Sequence, residues 1–230
     1  MIQNWVKRVL GKRHRLAPEE VAYRRVSAKG FRPGGIIDVG AYEGNWTRTA
    51  RRVFPKAPIL MAEAQEAKAP LLREVADELG NVRVVQAVLA RAAGEERVFY
   101  EMETGSSLLP EQSNVCRRER RLITQTLDTI AADLPGPLFL KVDVQGAEVE
   151  VLEGGQQTLA RAELVQLEVA FLPYNAGAPT IVEVVDYMNE RGFVPYDLAG
   201  EVRPNFDDLV QIDLLFVPEN SPLRPRHFEF

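Results

Sequence analysis

From Gly35 onward the apolar positions alternate between two periods. Short runs dense in Val, Ile and Leu fall at 36–41, 58–64, 82–89, 138–144, 164–170, 193–199 and 209–217. Several are nearly continuous, as strands buried on both faces must be. Between them, the stretches near 44–53, 66–79, 147–160 and 179–191 carry apolar residues at helical spacing, and Gly80 and Gly192 stand where C-terminal caps are expected. This alternation predicts an α/β fold, a mostly parallel seven-stranded sheet with helices on both faces. Only a short polar connection separates the last two runs, so they are expected to pair antiparallel.

Ahead of this rhythm, residues 2–10 place Ile2, Trp5, Val6, Val9 and Leu10 on one helical face, followed by Lys12, Arg13, His14 and Arg15. Pro18 opens a second short helix, to about Ser27. The expected organisation is a helical leader over 1–33, one α/β domain over 34–218 and a tail over 219–230. A polar stretch at 101–121 interrupts the pattern and reads as a lid, since a loop that long within a domain is usually functional or mobile.

Composition narrows the partners. With 28 basic against 33 acidic residues the net charge is -5, which lacks the excess that nucleic-acid binding needs. Cys116 is the only cysteine, so an intrachain disulfide or a CxxC site is excluded. No apolar run reaches the roughly 18 residues of a spanning helix, and the start of the chain lacks a secretory pattern. A soluble, cytoplasmic protein is expected. The leader's apolar face and adjoining basic residues leave open a peripheral contact with an anionic membrane, against packing on its own domain or a second subunit.

In an open parallel sheet, ligands sit outside the carboxyl ends of the strands. The first strand ends in Asp38-Val39-Gly40-Ala41-Tyr42-Glu43-Gly44. Tyr42 and Glu43 argue against a pyrophosphate turn, because an acid there would repel phosphate. Asp38 instead suits a cationic ligand such as S-adenosylmethionine, which carries an ammonium and a sulfonium. Glu63, ending the second strand, is placed to accept hydrogen bonds from ribose hydroxyls. The cofactor-site candidates are therefore Asp38, Gly40, Ala41, Tyr42, Glu63 and Ala64, with Ala87 flanking an adenine through its backbone alone. The competing reading has Asp38 capping the following helix.

The fourth strand ends in Lys141-Val142-Asp143-Val144-Gln145-Gly146-Ala147-Glu148, with Lys141, Asp143 and Gln145 on one side by alternation. Glu168 reaches the neighbouring carboxyl edge. Asp143 and Glu168 could make a general base or hold a divalent cation. Alternatively, Lys141 forms a buried ion pair with Glu148 or Glu168, and Glu148 caps its own helix.

At these residues the chain resembles the FkbM-type methyltransferases. The likeness runs through IIDVGAYEGNWT (36–47), MAEA (61–64), GSSLL (105–109), TQTLDTI (124–130), LKVDVQGAEVEVLEGG (140–155), LVQLEVA (164–170) and QIDLLFVP (211–218). It implies a class I, Rossmann-like methyltransferase domain and O-methylation of a hydroxyl on a sugar, glycan or secondary metabolite. It also implies that Asp38, Gly40 and Glu63 hold the cofactor, that Lys141, Asp143, Glu148 and Glu168 shape the reaction centre, and that Ser106 and Ser107 approach on closure. A nucleoside-binding protein without turnover and an NAD-dependent oxidoreductase are the alternatives. His14 and His227 lie outside the likeness and read as surface residues. Arg117, Arg118, Arg120 and Arg121 read as a solvated face around a loop thiol, Cys116, or as a contact for an anionic substrate. Asp213, an acid in an apolar strand, reads as a structural partner.

Overall fold

The computed structural model describes residues 16–112, 114–172, 175–204 and 207–224. The apolar face at 2–10, His14 and His227 lie outside the described residues. In chain order the elements are α1 (Pro18–Ala28), β1 (Gly35–Val39), α2 (Asn45–Val53), β2 (Ile59–Glu63), a 3-10 turn (Glu66–Lys68), α3 (Ala69–Leu79), β3 (Val82–Gln86), β4 (Val88–Leu89), β5 (Glu96–Glu101), β6 (Arg118–Gln125), α4 (Leu127–Ile130), β7 (Leu138–Val142), α5 (Glu148–Glu153), α6 (Gln156–Leu159), β8 (Ala162–Ala170), α7 (Ile181–Asn189), β9 (Phe193–Val202) and β10 (Gln211–Pro218).

Seven strands form one sheet in the order β3-β2-β1-β7-β8-β10-β9. β3, β2, β1, β7 and β8 run parallel, and β10 lies antiparallel between β8 and β9, as the last two apolar runs predict. Strand order reverses between β1 and β7, so their carboxyl ends frame a crevice. Every residue of β1, β2 and β7 is buried, which explains their unbroken apolar runs. On one face α1, α2 and α3 press Tyr23, Ala50, Leu72 and Val75 against Ile36, Ile59, Phe139 and Leu215. On the other, α4 to α7 bring Leu127, Val151, Leu159, Val184 and Met188 against Ile37, Leu60, Leu140 and Leu167. Phe139 meets Tyr23, Trp46 and Phe54 edge-on, with ring centroids 5.2, 5.3 and 6.0 Å away. Each such pair contributes about 0.5–1.5 kcal/mol beyond buried area, so α1 and α2 are tied to the middle of the sheet.

Three details differ from the periodicity. The run at 82–89 is two strands: β3 ends at Gln86, and β4 leaves the large sheet for a small one ordered β4-β6-β5. The polar stretch at 101–121 begins and ends in strands, because β5 and β6 form an antiparallel hairpin. Its charged residues sit on a half-solvated ladder, and only the connection between the strands is loop. The helical stretch at 147–160 is broken into α5 and α6. A Cβ on Gly154 would lie 2.1 Å from the Ala90 carbonyl oxygen, which excludes a larger residue there, and one on Gly155 would lie 2.6 Å from the Leu127 side chain, which would have to shift.

Candidate functional site

A cleft of about 350 Å³ opens at the carboxyl ends of β1, β2, β7 and β8, within the size range of small-ligand sites. Gly40, Tyr42, Glu63, Ala64 and Ala87 line it on one side, Asp143, Gln145, Glu168 and Gln211 on the other, and Phe99, Ser106, Ser107 and Leu108 close it from the small sheet and its loop. Two turns build the floor. Gly40 has φ +75, and a Cβ there would lie 1.8 Å from the Asp143 carbonyl oxygen; only glycine lets the turns after β1 and β7 come this close.

Glu63 holds the first turn together. One carboxylate oxygen accepts the backbone N–H of Tyr42 and the other that of Gln65, both at 2.8 Å. Burial pushes its carboxyl above the usual glutamate range, although these amides pull the other way. Tyr42 itself adopts φ +48. Ala87 donates its backbone N–H to the Glu63 carbonyl at 3.0 Å. Ala41 is buried beside this turn and is not among the residues lining the cleft.

Asp38 does not line the cleft either. It is fully buried, and its carboxylate accepts the Thr47 hydroxyl at 2.6 Å and the Lys141 ammonium at 3.1 Å. The reason is register: Asp38 and Lys141 stand directly opposite each other on β1 and β7, and a lysine buried there needs an anion. Lys141 also reaches the carbonyls of Val39 and Gly40 at 3.4 and 3.0 Å, and Asp143 at 3.5 Å. Burial disfavours its charge, but Asp38 and Asp143 outweigh that and hold its pKa above the ordinary lysine value. Its ion pairs are with these aspartates, and neither Glu148 nor Glu168 takes that role.

Asp143 and Glu168 do meet in the cleft. The Gln145 side-chain N–H₂ donates to Asp143 Oδ1 at 3.0 Å and to Glu168 Oε2 at 2.7 Å, and the Gln211 amide donates to the other Glu168 oxygen. Burial first, then the charges of Asp143, Glu148 and Asp213, lift the Glu168 pKa well above the carboxylate range. Glu148 lies behind this pair. Its carboxylate accepts the backbone N–H groups of Val144 and Gly146, both at 3.0 Å, and so caps the turn leading into α5. Burial pushes its pKa up to about 7.

That value predicts a pH dependence. Because the folded-state pKa lies above the unfolded one, Glu148 favours the native state below about pH 4.5 and loses this contribution as pH rises through about 7. Glu148→Gln keeps an acceptor for both amides and cannot ionise. Its stability in urea should therefore fall less between pH 5 and pH 8 than that of the parent chain, by up to about 3 kcal/mol. An unchanged pH dependence would refute the assignment.

The loop between β5 and β6 is fastened at both rims. Tyr42 donates its hydroxyl to Glu103 at 3.0 Å, Lys68 pairs with Glu43 and Glu103, and the Gln65 amide reaches the Glu103 carbonyl. Farther along, Asn175 donates to the Leu109 carbonyl at 2.9 Å. Ser107 is buried and donates its hydroxyl to the Gln145 carbonyl at 2.9 Å. Gln211 is marked only as the first residue of the QIDLLFVP stretch. Gln145 is flagged only by its place in the strand-four block. Cys116 is exposed. Among the described residues, no three His, Cys, Asp or Glu side chains converge as a metal-ligand group, and no helix is long and apolar enough to cross a membrane.

A family model described as the methyltransferase FkbM domain matches residues 38–195, and no curated protein matches the sequence. Among solved structures, the chain is similar to magnesium protoporphyrin IX methyltransferase from Synechocystis PCC 6803 with bound SAM, at 14% identity and TM-score 0.51 over 86% of this chain and 77% of that one. The SAH-bound form of that protein aligns at 13% identity and TM-score 0.50, over 86% and 81%. At such identity the likeness is one of fold. The family match spans more than half of the chain and takes in Asp38, Glu63, Lys141, Asp143, Glu148 and Glu168: this protein belongs to the FkbM family of S-adenosylmethionine-dependent methyltransferases.

Proposed function

We propose that this chain methylates a hydroxyl oxygen of a small polyhydroxylated acceptor, a sugar of a glycan or a secondary metabolite, with Glu168 accepting the proton and Asp143 beside it. The observation that carries this reading is the convergence of the two carboxylates on the Gln145 amide inside the cleft. A neutral hydroxyl must lose its proton as the new O–C bond forms, and a buried carboxylate of raised proton affinity suits that task.

The opposite half of the cleft fits the cofactor. Glu63 uses one lone pair on each oxygen for a backbone amide and keeps others for a ribose diol. Ala64, Ala87, Val88 and Phe99 supply small and apolar walls for a base. When bound, S-adenosylmethionine supplies an electrophilic methyl on a sulfonium sulfur. Asp38 and Lys141 serve from beneath, holding the Gly40 turn through its carbonyl. Glu148 holds the turn that carries Gln145. The acceptor is read as small because the cleft is.

Two measurements test this reading. Glu63→Ala should weaken S-adenosylmethionine binding by roughly 10- to 100-fold in calorimetry, the loss expected for charge-assisted hydrogen bonds of about 1.5–3 kcal/mol. Folded variant protein of unchanged affinity overturns the cofactor assignment. Incubation of the parent chain with methyl-labelled S-adenosylmethionine and a panel of neutral, amino and acidic sugars should place label on oxygen, and label found on nitrogen or carbon alone overturns the acceptor class.

A further inference from the structure

Gln145 occupies a conformation that its own side chain makes costly. It sits at φ +56, in the left-handed region where a residue other than glycine is strained, and such strain persists only where the surroundings impose it. The next residue, Gly146 at φ +97, is a glycine suited to the turn. A longer side chain at position 145 is therefore not required by the backbone. What the side chain does is bridge. Both of its contacts are carboxylate oxygens, at 3.0 Å to Asp143 and 2.7 Å to Glu168, so its nitrogen end must face them, an amide oxygen being repelled there.

The main chain of the same residue is held from the loop side. Its carbonyl accepts the Ser107 hydroxyl at 2.9 Å, the Leu109 N–H returns to that hydroxyl at 3.1 Å, and Ser107 exchanges backbone hydrogen bonds with Tyr100 on β5. The contacts thus run from the loop after β5, through one buried serine, into the strained peptide and out along its amide to both acids. We propose that Gln145 is a positioning residue that couples seating of this loop to alignment of the Asp143–Glu168 pair, so that the pair is set for proton transfer only when the loop is down. This rests on the reading of Glu168 as the proton acceptor.

The charged groups acting on Glu168 are Asp143 from the β7 turn, Glu148 from α5, Asp213 from β10 and Lys141 from β7. Gln145 and Gln211 are the neutral donors among them, so removing Gln145 alters the titration of Glu168 without removing a charge. The test is a pH titration of the full chain labelled with ¹³C at the glutamate carboxyl carbon, with Glu168→Gln used to assign the signal; no acceptor is needed. Gln145→Gly removes the bridge and also relieves the strain. It should raise the Glu168 midpoint by about one pH unit, the equivalent of one lost hydrogen bond to a charged group, while the unfolding temperature holds or rises. Ser107→Ala should move the midpoint in the same direction by a smaller amount, and the double variant should move it no farther than Gln145→Gly. A Glu168 titration that stays in place in Gln145→Gly, or in Ser107→Ala, overturns the proposal. Failure of the proton-acceptor reading would appear elsewhere, as methyl transfer retained in Glu168→Gln.

Discussion

Glu168→Gln is expected to lower methyl transfer by at least about a hundredfold while S-adenosylmethionine affinity stays within tenfold, the signature of a group that acts on the acceptor's proton. The change is nearly isosteric, but the new amide faces the Gln145 and Gln211 amides, which now donate to both Glu168 oxygens. Gln145 can keep donating to the new carbonyl oxygen while the Gln211 amide turns its own oxygen toward the new N–H₂, so stability should change by less than about 1 kcal/mol. The pH profile of the parent chain supplies the second readout. Glu168 must be ionised to accept a proton, and burial with Asp143, Glu148 and Asp213 nearby holds its pKa well above the ordinary carboxylate value. Activity should therefore rise with pH through a limb displaced above that of a free glutamate. Asp143→Asn removes the negative neighbour that raises Glu168 most and should shift this limb downward. Full activity in Glu168→Gln, measured as S-adenosylhomocysteine formed, would make the pair structural.

Lys141→Met should be the most destabilising single change in the site. It leaves Asp38 fully buried with the Thr47 hydroxyl in place and no cation, and removing one partner of a buried pair costs about 3–5 kcal/mol. In a chain of this size that corresponds to an unfolding temperature lower by roughly 10 °C. The carbonyls of Val39 and Gly40 lose their donor as well, so the cofactor turn should loosen and affinity should fall along with stability. Adding Asp38→Asn to Lys141→Met removes the stranded charge and should recover part of the stability but not the affinity. Calorimetry of the two variants checks both parts, and a loss under about 1 kcal/mol in the single variant would show that this pair contributes little to the fold.

Much of the architecture is legible in the sequence because burial on both faces of a parallel strand leaves few positions for a polar residue away from its ends. The runs around Ile36, Leu60, Leu140 and Leu167 therefore announce themselves, and the acids at their carboxyl edges, Asp38, Glu63, Asp143 and Glu168, stand out against them. The antiparallel ending follows from a connection too short for a crossover. The hairpin of β5 and β6 is hidden for the converse reason: its ladder is half in solvent, and the Arg118–Arg121 charges mask the alternation. What only the tertiary structure decides is which acid faces the cleft. Asp38 and Asp143 end similar strands, yet register sets Asp38 opposite Lys141 beneath the floor and leaves Asp143 in the wall. The same holds for the neutral side chains that serve the acids. Gln211 reaches Glu168 because β10 runs antiparallel beside β8, and Ser107 reaches Gln145 because a loop from the small sheet folds over the large one. These contacts join residues far apart along the chain, where strand and helix periods record only local geometry.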